Sequence, residues 1–311
     1  MKKIIIAGFI LSVWVLFTGS VTAAPLNVVV SIKPLHSLVS GVMQGVGSPD
    51  LVVRSGGSPH GYSLRPSEAK ALANADLVIW VGHELESFLE KPLSTLGKKS
   101  RQLTLAEELK VDLLTKRQGG TWETHMHKNN DDHGEHNHDG SARDLHIWLN
   151  PGLAKKIVSL VAEELTALDP EHAQTYQHNV QNMLARLDQL DRQLAEQLQP
   201  VKEVPYIVFH AAYQYFESAY DLNAVGSVTI DPERKPGARR IKAIRKKIKE
   251  LDARCVFSEP QFESRLIQTI IEGTGTRTGI LDPLGTDIPE GPQAYFTLMN
   301  RLADNLIEGL K

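Results

Sequence analysis

From residue 171 to residue 199 the chain carries no glycine or proline, and its apolar residues fall on one stripe. Tyr176, Val180, Met183, Leu187, Leu190 and Leu194 recur at alternating steps of four and three, the period of one helical face. About 28 residues at ~1.5 Å each make a rod of roughly 42 Å, longer than one small domain needs. Such a rod predicts a rigid linking helix over 169–199 with a body of chain on either side. The two bodies read alike. Apolar runs at 28–32, 51–53, 77–81 and 145–149 are expected as strands before it, and runs at 206–209, 255–257 and 279–281 after it. Helical patterns stand between them, opening near Pro34, at Pro66, at Pro236 and at Pro292, where a missing N–H costs nothing. Asn150-Pro151 is a cap and first-turn signal for a helix running to Leu168. The alternation predicts an α/β fold: two similar lobes, 24–168 and 200–311, each a small parallel sheet flanked by helices, joined by one long rigid helix.

The two ends of the composition narrow the setting. Lys2 and Lys3 precede an apolar run over 4–17, and Val21-Thr22-Ala23 supplies small residues at 21 and 23, so residues 1–23 read as a secretory signal peptide cleaved after Ala23. No cysteine lies near that point, which argues against a lipid anchor and for the periplasm. Removal of the segment takes two lysines and moves the formal charge from −3 to −5, a balance with no electrostatic case for nucleic acid. Cys255, the only cysteine, lies in an apolar run and reads as a small buried hydrophobe. A monomer is expected.

Histidine placement carries the chemistry. Of twelve histidines, His125, His127, His133, His136 and His138 crowd into a polar, non-periodic segment over 119–143, interleaved with Asp131, Asp132, Glu135 and Asp139. That segment is expected as a mobile surface loop offering loose, low-affinity metal contacts. Three others stand out by position. His60 lies in a glycine-rich turn after the second strand, His146 enters the expected strand at 145–149, and His210 follows the strand at 206–209. Asp282 follows the strand at 279–281 in the same way. Ligands of open α/β sheets bind in the crevice beyond the carboxyl ends of strands, where all but His146 would lie. Three imidazoles and a carboxylate suit tetrahedral zinc, whereas manganese prefers more oxygen. His83 and Glu84, after the third strand, are candidates for a layer behind the ligands. His172, His178 and His36 read as structural or exposed residues.

The segments Gly57-Ser58-Pro59-His60-Gly61-Tyr62-Ser63-Leu64-Arg65-Pro66-Ser67, His146-Ile147-Trp148-Leu149-Asn150-Pro151, Val208-Phe209-His210-Ala211-Ala212-Tyr213 and Leu281-Asp282-Pro283-Leu284-Gly285, in this order, resemble the zinc-specific solute-binding proteins of bacterial ABC importers, the ZnuA type. The resemblance runs the length of the mature chain and includes the histidine-rich loop and the long helix. It implies two four-stranded lobes, Zn2+ carried in the cleft between them by His60, His146 and His210, and delivery to the membrane permease of a zinc ABC transporter. Asp282 matches the carboxylate many relatives place on the metal. Some zinc members instead use an acidic residue directly before the first histidine, where this chain has Pro59, so the fourth position falls to Asp282 or solvent. Zinc members often carry a second cysteine near the C-terminus; Glu308-Gly309-Leu310 offers none to Cys255. Other readings share these residues: a manganese or other divalent-metal receptor of the same class, a surface adhesin, and a zinc hydrolase. Against the hydrolase, no His-Glu-x-x-His helix occurs.

Overall fold

A computed structural model describes residues 26–54, 56–117, 143–229, 232, 236–262 and 265–311. The segment expected as a signal peptide, residues 1–23, and all five histidines of the 119–143 segment lie outside the described residues.

The first lobe runs β1 (Val28–Val30), α1 (Lys33–Val42), β2 (Asp50–Leu51), α2 (Pro66–Asn74), β3 (Leu77–Trp80), α3 (Ser87–Thr95), β4 (Arg101–Thr104) and α4 (Leu105–Glu108). Its strands form a parallel sheet in the order β2-β1-β3-β4. After a 3-10 turn at Ile147–Leu149 comes α5 (Pro151–Leu168), whose Asn150 side chain accepts from the Leu153 N–H as a true cap. The linking helix is α6 (Ala173–Leu198), 26 residues. The second lobe runs β5 (Tyr206–His210), α7 (Gln214–Tyr220), β6 (Ala224–Thr229), α8 (Ala238–Glu250), β7 (Cys255–Ser258), α9 (Arg265–Ile271), β8 (Arg277–Ile280) and α10 (Ala294–Leu310), with a parallel sheet β6-β5-β7-β8. Both sheets therefore share one topology, and continuously buried β1, β3 and β5 have the all-apolar character of strands covered on both faces.

The run at 145–149 is not a strand. Asp144 Oδ1 accepts from the His146 backbone N–H, and the Leu149 N–H turns back to the His146 carbonyl. The run is apolar because Ile147, Trp148 and Leu149 are enclosed from every side, a burial that periodicity cannot tell from a sheet. The fourth strand of this lobe is β4 instead, an edge strand with a single buried residue, Leu103.

The lobes share an interior. The α6 stripe is buried throughout, and α6 packs on α1, α5 and α10. One continuous apolar cluster extends from Val28 to Leu310, while a second lies on the far side of the C-terminal sheet around Ile207, Val228, Ile248 and Ile267. Polar ties cross between lobes as well. Lys33 Nζ donates to the carbonyls of Gly285, Thr286 and Ile288 at 2.8, 2.9 and 2.9 Å. Trp148 Nε1 donates to the Pro283 carbonyl, Tyr295 Oη to the Trp148 carbonyl, and the Tyr295 N–H to Ser37 Oγ. Helix α1 is buried at every residue as a result.

Candidate metal centre

Each lobe brings histidine to the seam by a different local device. His60 rides on the turn after β2, which is held by bonds within itself: Gly57 N–H to the Arg54 carbonyl, Gly61 N–H to the Ser58 carbonyl, and His60 N–H to Ser58 Oγ. The Tyr62 ring closes over this turn, anchored through its hydroxyl to Glu68 at 2.8 Å. Glycine is required at 57 because a Cβ there would stand 2.8 Å from that ring. His146 is set by the bend at Asp144, and His210 ends β5 as its last residue.

The three rings converge. Their centroids are 5.5, 5.5 and 5.3 Å apart, and one ligand nitrogen from each lies within 4.8 Å of the others. The Nε2 atoms of His146 and His210 are 3.4 Å apart. Two zinc–nitrogen bonds of about 2.05 Å at a tetrahedral angle would set their nitrogens about 3.3 Å apart, so this pair already has the spacing of a shared ion. His60 Nε2 is buried with no hydrogen-bond partner. Pro59, Trp148, Phe262, Pro283 and Leu284 wall the pocket, keeping its dielectric low.

Two carboxylates that sequence reasoning missed stand behind the rings. His146 Nδ1 faces Asp144 Oδ1 at 2.7 Å and His210 Nδ1 faces Glu259 Oε1 at 2.6 Å, all four side chains being buried. A carboxylate accepts, so the proton sits on Nδ1 and the Nε2 lone pair is aimed at the common centre. Asp144, two residues before a candidate ligand, could have been found from spacing. Glu259 could not, since the β5–β7 pairing alone brings it to His210 across 49 residues. Burial, then repulsion from His146, His210 and Lys116, hold His60 well below the usual imidazole range. Burial also lowers His146, outweighing the raising influence of Asp144. Both rings thus favour the neutral form that a metal needs.

The remaining candidates lie elsewhere. Asp282 is half-buried, but Oδ1 accepts from the Leu284 N–H and Gln261 Nε2, and Oδ2 accepts from the Thr286 N–H. It organises its own loop and is outside the group of converging nitrogens. His83 is exposed and Glu84 pairs with Arg143 at 3.2 Å. His36 is buried against the Pro49 carbonyl, His172 pairs with Asp169, and His178 is exposed. Thr115 and Arg143 form an antiparallel bridge, so the segment between them leaves and returns at one place, beside Asp144.

The family described as "Zinc-uptake complex component A periplasmic", ZnuA, matches residues 28–309. A protein named High-affinity zinc uptake system protein ZnuA from Brucella abortus (strain 2308) is 45% identical over 312 residues, covering 93% of both chains. The protein of the same name from Yersinia pestis is 35% identical over 91% of both. Among solved structures, one described as the crystal structure of ZnuA superposes with a TM-score of 0.77 at 24% identity, over 92% of this chain and 100% of that one. With fold, order of motifs and sequence in agreement over nearly its whole length, the chain belongs to the ZnuA family of periplasmic zinc-uptake components.

Proposed function

We propose that this protein is the periplasmic receptor of a high-affinity zinc importer, taking Zn2+ between its lobes on His60, His146 and His210 and passing it to the membrane permease of an ABC transporter. The observation that carries the reading is the convergence of three ligand nitrogens, supplied by segments 64 or more residues apart and by both lobes, within 4.8 Å. The acids nearest that point, Asp144 and Glu259, are turned to the Nδ1 side of the rings rather than toward a reactant, which favours holding an ion over hydrolysis. The fourth position is left to solvent, because both oxygens of Asp282 are committed to Gln261 and to the Leu284 and Thr286 N–H groups. Export with cleavage after Ala23 is part of the same reading. So is a collecting role for the histidines of 119–143, whose segment is rooted beside the site.

Titration calorimetry with Zn2+ and Mn2+ on the mature protein tests it. Wild type should bind one zinc tightly and manganese far more weakly, and His60→Ala, His146→Ala and His210→Ala should each lose the tight event. Retention of tight zinc binding by any two of these variants would refute the assignment.

A further inference from the structure

Two features of the centre call for a charge that its ligand set does not provide. All three converging groups are imidazoles, which bind a metal in their neutral form, so the ligand atoms themselves contribute no negative charge against a dication. Behind them Asp144 and Glu259 are 2% and 3% exposed, and one oxygen of each, Oδ2 and Oε2, is buried with no hydrogen-bond partner. A buried carboxylate with an orphaned oxygen is unfavourable unless a cation stands near. Lys116, half-buried, bears on His60 and His146 but forms no ion pair with either acid among the described residues. His60, the third ring, has no carboxylate behind it among the described residues.

We infer that Asp144 and Glu259, one from each lobe, are positioning residues that also balance the two charges of the bound ion from one bond behind the ligands, so that no anionic ligand is needed in the fourth position. This rests on the zinc-receptor reading above. Each acid does two things: its near oxygen fixes the ring so that Nε2 faces inward, and its charge acts through the ring on the ion. Asp282, with its oxygens committed to Leu284, Thr286 and Gln261, is left as a loop-organising residue.

The substitutions Asp144→Asn and Glu259→Gln separate the two roles, because an amide oxygen still accepts from Nδ1–H while the charge is gone. Zinc affinity, measured by competition with a chromophoric chelator, should fall about 10- to 100-fold in each. Ag+ in chloride-free buffer is the control ion. Coulomb attraction scales with the ion's charge, so a 100-fold loss for Zn2+ should appear as only about tenfold for Ag+. The absorption bands of the Co2+ form should keep tetrahedral intensity, and Asp282→Asn should change zinc affinity by less than about threefold. Equal losses for Zn2+ and Ag+ would mean that the acids only orient the rings, and would overturn the inference. So would an Asp282→Asn variant as impaired as Asp144→Asn. If instead the histidine variants keep tight zinc, the receptor reading fails and takes this inference with it, whereas equal Zn2+ and Ag+ losses beside histidine variants that do lose tight zinc overturn this inference alone. Far-UV circular dichroism and melting curves confirm that each variant is folded.

Discussion

Glu86 is fully buried at the end of the first lobe's sheet, where Oε2 accepts from the Val81 and Gly82 N–H groups at 2.8 and 3.0 Å and Ser31 stands beside the carboxyl. Burial, opposed by bonds from Ser31, Gly82 and Val81, pushes its carboxyl up from 4.5 to about 7. Below pH 4.5 the acid is neutral folded or unfolded, and its burial carries no charge penalty. As pH rises toward 7 the unfolded chain ionises while the folded one does not, so stability is lost across that window; above about 7 the loss is complete. At about 1.4 kcal/mol per tenfold change, the full loss is at most about 3.5 kcal/mol. Glu86→Gln removes the titration and keeps an oxygen for both N–H groups, with an amide that can donate to Ser31. The variant should match wild type near pH 4.5 and exceed it by about 1–3 kcal/mol at pH 8. Urea unfolding of the zinc-free protein at pH 4.5, 6 and 8, with equal m-values, reads this directly. A difference between the two proteins that does not grow with pH, or a variant weaker than wild type at pH 8, would refute the reasoning.

Other expectations follow from particular contacts. Since burial lowers the proton affinity of His60 and His146, zinc binding at pH 6 should release about one proton or fewer, against more than two for three ordinary imidazoles; calorimetry in buffers of different ionisation enthalpy decides it, and a value above two refutes it. Lys33→Met strips three carbonyls of their shared donor and should cost about 3 kcal/mol in chemical unfolding, with a loss under about 0.5 kcal/mol counting against the cross-lobe tie. Gly279→Ala would set a Cβ 2.5 Å from the fully buried Phe257 ring and should destabilise by about 1–3 kcal/mol, whereas an unchanged melting curve would show the ring free to shift. Deleting residues 119–142, which leaves Arg143 on Glu84, should lower total zinc per chain while sparing the tight event; loss of the tight event would end the collecting role.

The linking helix, α5 with its Asn150 cap, and the strand runs near 28, 77, 206 and 255 were legible because each couples an unbroken apolar pattern to a clear stop or start. β4 and β6 were not. Arg101-Gln102-Leu103-Thr104 shows water three of its four residues, and Ala224–Thr229 includes Gly226 and Ser227, so neither has the composition of a strand. The error at 145–149 has the opposite cause, an apolar run buried by its tertiary surroundings. At the centre, His60 and His210 stood out from their places after strands, whereas His146 was the exception by position, at the start of a run that is no strand, and was tied to them by the order of motifs. Of their backing acids, Asp144 left a local mark two residues before its ring that went unread, while Glu259 left none, because the chain must fold to bring it to His210 across 49 residues. Asp282 shows the limit of position alone: at a strand end, as expected, its side chain is spent on its own turn.

The pairing of α1 with α10 has a consequence for how the molecule is made. A ribosome delivers residues 33–42 some 250 residues ahead of 294–310, so the face of the first helix that the last one covers stays open until then. The N-terminal half therefore cannot finish on its own as it emerges, and the chain stays unlocked until its tail arrives. Until the tail docks, that uncovered apolar face is the surface through which an unfinished chain would associate wrongly.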